Sequence, residues 1–156
     1  MDIITWDKII IAIVAIYGAI MSTITFFSKH KEKQRQLKVS FSNGFTPYGD
    51  NLGGLMLIIT VSNPGFRDVT INVPRLILSD KKTVVFPNPQ SDVRFPHKLE
   101  EGTKCIVWTE MKELAQNLKR NGYNGVIKID ADVEDGAGQT YKSEKPWELD
   151  VDKVSF

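Results

Sequence analysis

Hydrophobic and polar positions alternate differently in the two parts of this chain. From Ile9 to Ser28, twenty consecutive residues carry no charge, and isoleucine dominates them. At 1.5 Å of rise per residue, that run is long enough for a helix to cross a hydrocarbon core of about 30 Å. From Leu37 onward the apolar period falls to two, and turn residues punctuate it. Leu37, Val39 and Phe41 alternate before Asn43-Gly44 and the 47–51 stretch, which read as breaks. Leu55–Ser62 predicts a strand stopped by Asn63-Pro64-Gly65. Val69–Leu78 predicts another, with Pro74 marking a bulge or an edge. Val84–Phe86 and Lys104–Thr109 follow as shorter strands.

The period then changes. Met111, Leu114, Ala115 and Leu118 fall at i, i+3, i+4 and i+7, which predicts a helix. Thr109 is placed to cap it, and Asn121-Gly122 to end it. Val126–Glu134 and Gln139–Val151 read as two closing strands joined by Asp135-Gly136-Ala137-Gly138. About seven short strands with a turn every ten residues or so predict a mainly β domain. The expected fold is an immunoglobulin-like β-sandwich with one short helix before the last two strands. A small Greek-key barrel is the alternative.

The flanks of the apolar run give it an orientation. Residues 29–38 carry Lys29, Lys31, Lys33, Arg35 and Lys38 against Glu32 alone. Basic flanks stay on the cytoplasmic side, so the amino terminus is expected outside and the rest inside, in the cell or inner membrane. The same cations sit at the height of anionic lipid headgroups. A cleaved signal peptide would place its charge before the run and a small-x-small site after it; here Phe26-Phe27 closes the run. The expected parts are therefore an extracytoplasmic 1–8, a transmembrane helix 9–28, a basic collar 29–38 and a β-sandwich 39–156. Within the helix, Ala12, Ala15, Gly18, Ala19 and Ser22 form a small-residue stripe on which two helices could pack, as a homo-oligomer or with a partner.

Composition conceals this division. Twenty basic and 19 acidic residues give a formal net charge of +1, which offers no global case for nucleic acid. Residues 1–38 hold six basic and three acidic residues, and residues 39–156 hold 14 and 16. A single cysteine excludes an intramolecular disulfide, and a free thiol suits a reducing compartment. In layout, the chain resembles small, uncharacterised bacterial and phage membrane proteins with one amino-terminal span, a basic collar and an immunoglobulin-like cytoplasmic sandwich. The stretches VSNPGFRDVTI, KRNGY and DGAGQTYKS carry the likeness. They mark turns and packing, so the resemblance implies a fold and a location and no functional residue.

Candidate chemistry is sparse. Asp130, Asp132, Glu134 and Asp135 precede Gly136, but the glycine comes one position late for a calcium loop, and Lys142 stands where its glutamate would be. Because Ile127, Ile129, Ala131 and Val133 alternate with charged residues, the acids read as the solvated face of a strand. Glu148, Asp150 and Asp152 repeat the theme in the last strand, with lysines expected to intervene; an acidic docking face is the functional counterpart. His30 falls in the basic collar, and Cys105 reads as a buried strand thiol. No nucleophile elbow, phosphate loop or zinc-binding helix motif occurs, so no metal, cofactor or catalytic residue is assigned. The stretch from Phe86 to His97 is the leading recognition surface, because Phe86, Arg94, Phe95 and His97 stand among prolines. The Gly-rich 48–54 loop is a weaker one. The expected function is a non-catalytic binding or adaptor module held at the bilayer with a protein partner. The alternatives are a membrane effector of phage-exclusion or defence type acting by helix oligomerisation, and a membrane-tethered ligand sensor.

Overall fold

The computed structural model describes residues 3–33, 36–48, 51–86 and 90–153, with side chains for 6, 8–29, 36–45, 53–86 and 90–153. The chain divides into two compact units, Met1–Gln34 and Arg35–Phe156.

The first unit is one helix, α1, Ile3–Lys33. It begins six residues before the uncharged run and continues five beyond it. Its most apolar stretch, Lys8–Lys29, has a mean hydropathy of 2.3 with none of it buried. The helix's own hydroxyls turn inward. Thr23 Oγ1 donates to the Ala19 carbonyl and Thr25 Oγ1 to the Met21 carbonyl, both at 2.8 Å. Such back-bonding satisfies a hydroxyl without water.

The second unit is mainly β and carries eleven strands among the described residues. The first sheet contains β1 (Lys38–Tyr48), β2 (Asn51–Ser62), β8 (Lys104–Glu110) and β6 (Gln90–Ser91), in the order β1-β2-β8-β6. The second runs β10-β9-β4-β5, from Thr140–Lys142, Val126–Glu134, Arg75–Leu78 and Thr83–Val84; β11, Trp147–Asp150, also pairs with β9. A small third sheet joins β3 (Val69–Ile71) to β7 (His97–Leu99). The sheets make a sandwich-like arrangement around a single core. Leu57, Ile59, Val61 and Val107 come to it from the first sheet, Leu76, Ile129 and Val133 from the second, and Val69, Ile71 and Leu99 from the third.

Several expectations change. Asn43-Gly44 does not break the chain: β1 runs through it, and Gly44 stands opposite Met56. A Cβ on Gly44 would lie 3.2 Å from Ile58 Cδ1, so the glycine serves close packing against β2 rather than a turn. Val69–Leu78 is two strands in different sheets, with buried Pro74 in the crossing between them. The closing strand is also interrupted. Ser143 Oγ accepts from the Ala131 amide at 3.1 Å, and the Glu144 amide donates to the Val39 carbonyl at 3.2 Å. The chain therefore leaves β9 at Ser143 and rejoins it at Trp147, beyond Pro146, which has no N–H to donate.

The acidic stretch at the end of β9 is solvated only in part: Asp130 and Glu134 are part-exposed, whereas Asp132 and, just beyond the strand, Asp135 are buried. Asp132 is 6% exposed and Asp135 1%. Arg75 Nε lies 2.9 Å from Asp132 Oδ1 and a second guanidinium nitrogen 3.3 Å from Oδ2, a two-pronged pair that offsets the burial. Asp135 Oδ1 accepts from the Ala137 and Gln139 amides at 2.8 and 2.9 Å, so this carboxylate shapes the turn into β10. The closing acids are largely neutralised: Lys128 meets Glu148 at 3.5 Å, Lys119 meets Asp152 at 2.9 Å and Lys153 meets Asp150 at 3.0 Å.

Candidate functional site

The second helix, α2, spans Met111–Arg120 and leads from β8 in the first sheet toward β9 in the second. Met111, Leu114, Ala115 and Leu118 are buried, as the 3.6-residue period requires, and the helix packs against β2 and β8. Its start differs from expectation. Glu110, not Thr109, is the N-cap, and it makes no side-chain capping bond. Its end follows from Gly122, whose φ of +88° suits a residue without a Cβ. The Gly122 amide donates to the Lys119 carbonyl and the Tyr123 amide to that of Leu118, closing the helix with nested bonds.

That closure delivers Tyr123 to a cleft of about 540 Å³ between α2, the end of β8 and the segment following β4. The other side is built by a tight turn. The Lys81 amide donates to the Leu78 carbonyl at 2.8 Å and the Leu78 amide to that of Lys82 at 2.9 Å, with Lys81 at a φ of +67°. This turn places Asp80 and Lys82 beside Tyr123. The Tyr123 hydroxyl donates to Asp80 Oδ2 at 2.7 Å, and the Lys82 ammonium lies 3.0 Å from the same oxygen. The two donors, the hydroxyl foremost, hold the Asp80 carboxyl at about 2. Hydrogen bonding to Asp80, in turn, raises Lys82 above the usual lysine range. Lys82 Nζ also stands 5.4 Å from the centre of the Tyr123 ring, within the range of a cation–π contact.

Leu114 and Leu118 give the cleft apolar surface, Phe86 and Trp108 add aromatic rings, and Glu110 and Glu113 contribute carboxylates. Trp108 stands opposite Gln90 of β6 and Ile58 of β2. By strand alternation it lies on the face away from Cys105 and Val107. Its ring and that of Phe86 are half-buried, whereas Glu110 and Glu113 are exposed.

The structure separates the residues that the sequence groups as a recognition surface. Phe86 lines the cleft; Arg94, Phe95 and His97 do not. Phe95 packs against the core, His97 is half-buried opposite Ile71 in β7, and Arg94 is exposed. The tip of the 48–54 loop, residues 49 and 50, lies outside the described residues. Of the basic collar, Lys29 is exposed in α1, and Lys38 opens β1 and pairs with Glu144 at 3.1 Å. Arg35 and the side chains of His30, Lys31 and Lys33 lie outside the described set. Of the small-residue stripe, Ala12, Ala15, Ala19 and Ser22 are exposed, and a Cβ on Gly18 would meet nothing within 4 Å. Cys105 is fully buried in β8, and desolvation pushes its thiol up to about 11. Among the described residues, no group of three or more His, Cys, Asp or Glu side chains could hold a metal ion.

No family model matches the chain, and no curated protein matches it. Among solved structures it is similar to a Bordetella pertussis protein provisionally named ApaA, with 9% identity over 78% of this chain and 98% of that one and a TM-score of 0.38. It is also similar to the Northeast Structural Genomics Consortium target SoR45, with 12% identity over 80% of this chain and 92% of that one and a TM-score of 0.36. At that identity and superposition, neither likeness assigns a fold family, a ligand or an activity.

Proposed function

We propose that this chain is a single-span membrane protein whose mainly β domain, an immunoglobulin-like sandwich, is a non-catalytic binding module on the cytoplasmic side. One observation carries the reading: a long apolar helix with no buried surface precedes a domain that closes its own core and opens a cleft of about 540 Å³. A helix apolar on every side has no stable place in water, and the hydroxyls of Thr23 and Thr25 already have partners within it. The basic residues after the helix support the orientation through the preference of such flanks for the cytoplasm.

The cleft supports binding over catalysis. Its perturbed groups, Lys82 and the neighbouring Asp80, are engaged with each other, and its two glutamates are exposed rather than desolvated. Its volume falls in the range of small-molecule sites, which favours a tethered ligand sensor over an adaptor for a large partner. Carbonate extraction of cell membranes tests the tether: the full chain should stay in the pellet and a chain starting at Gln36 should not. Recovery of both in the supernatant overturns it. Thiol labelling of Cys105 after denaturation tests the side. Modification that requires prior permeabilisation of the inner membrane agrees with the cytoplasmic assignment, and modification in intact cells contradicts it.

A further inference from the structure

Three features of the cleft act in one direction. Trp108 and Phe86 line it without an aromatic partner or an overlying cation among the described residues. Glu110 and Glu113 line it without an ion-pair partner among those same residues. The cation that does line it, Lys82, is matched by Asp80 at 3.0 Å, so the two glutamates leave the site net negative. The third feature is a contact already made there: an ammonium standing 5.4 Å from the Tyr123 ring centre, with a carboxylate behind it. Aromatic faces flanked by carboxylates attract a positive charge through both the ring quadrupole and direct Coulomb interaction, and tryptophan is the strongest such face.

We propose that the cleft binds a small organic ammonium ion, with Trp108 and Phe86 as its aromatic walls and Glu110 and Glu113 as its counter-charges. This rests on the reading of the cleft as a ligand site and adds the chemical class. The volume suits a small molecule, and the apolar surfaces of Leu114 and Leu118 would take its alkyl groups. An anionic ligand is disfavoured by the same glutamates. Lys82 is the competing charge, so removing it should strengthen binding.

The test is calorimetric titration of the full chain in nonionic detergent with choline and with its neutral carbon isostere, 3,3-dimethylbutan-1-ol. Choline is expected to saturate one site, to weaken with added salt, and to bind about tenfold more tightly than the alcohol. Glu113→Gln, on an exposed face of α2, and Trp108→Leu should each weaken choline by about tenfold, and Lys82→Met should tighten it. Phe86→Leu replaces the tryptophan variant if that variant loses its cooperative melt. Equal binding of choline and the alcohol overturns the charge assignment and leaves a ligand cleft standing. Choline affinity unchanged in both Glu113→Gln and the aromatic variant places the binding elsewhere and overturns the proposal. Failure of both probes to saturate by about 10 mM overturns it together with the ligand-site reading, while the tether is judged separately by extraction.

Discussion

The two helices use apolar residues in opposite ways. In α1 they occupy every side, and isoleucines such as Ile11, Ile13 and Ile16 are more than 60% exposed. In α2 four apolar residues share one face and are all buried, with lysines and glutamate on the other. α2 is a third the length of α1 and belongs to a folded core, where each such side chain contributes about 1.5–3 kcal/mol on burial. α1 buries none of its apolar stretch, Lys8–Lys29, and gains no such contribution from packing within the chain. The contrast teaches that apolar content alone does not identify a core; period and cover do.

The sharpest way to break that comparison is to charge α1. Ile13→Asp with Ile16→Arg should cost about 6 kcal/mol of insertion and move the chain out of the membrane fraction, with the melting of the β domain unchanged. Unaltered membrane retention would erase the distinction drawn here between the helices. The counterpart is Leu57→Ala, at a fully buried site in β2, which should lose about 2–5 kcal/mol in denaturant unfolding. Ile13→Ala should leave the same measurement within error.

A smaller effect concerns the buried carboxylate. Arg75→Ala strands Asp132 without its guanidinium, whereas Asp132→Ala leaves an arginine that is one-third exposed and still 3.7 Å from Glu134. The arginine variant should therefore be the worse of the two, losing about 1–2 kcal/mol once its exposure is discounted. A larger loss in Asp132→Ala would contradict this assignment of burial. The smallest effect is a pH dependence at the cleft. Asp80 is held at about 2 in the folded chain, below its value when unfolded. Its contribution is present above pH 4 or so and fades as pH falls toward 2, because the unfolded state then binds the extra proton. Tyr123→Phe, which removes the larger cause, should flatten that slope in acid titrations of stability.

Much of the fold is legible in the sequence because it is written in local periodicity. The short apolar runs at Leu55–Ser62 and Lys104–Thr109 place β2 and β8, and the spacing of Met111 to Leu118 places α2. Misreadings arise where a distant neighbour decides. Gly44 resembles a turn until Ile58 is known to lie against it, and Asp132 resembles a surface residue until Arg75, 57 positions earlier, is brought alongside. The cleft is the extreme case, because it joins a turn at 78–82, a strand end at 108–110 and a helix end at 118–123. Local signals existed for its pieces: Asn121-Gly122-Tyr123 ends a helix with an aromatic, and Trp108 alternates with buried Val107 on an otherwise ordinary strand. Nothing local says that these pieces meet.

The stitching at Ser143 and Glu144 has a mechanical consequence. Any pull transmitted along the chain from α1 passes Gln36 and Leu37, which already pack on the β domain, and reaches β1 at Lys38 and Val39. There the Val39 carbonyl accepts from the Glu144 amide and Lys38 pairs with the Glu144 side chain, while β1 is hydrogen-bonded to β2 on its other edge. The point of attachment is therefore fastened both to β2 and to the segment between β10 and β11. A force applied through α1 would have to shear two seams together rather than peel β1 away by itself.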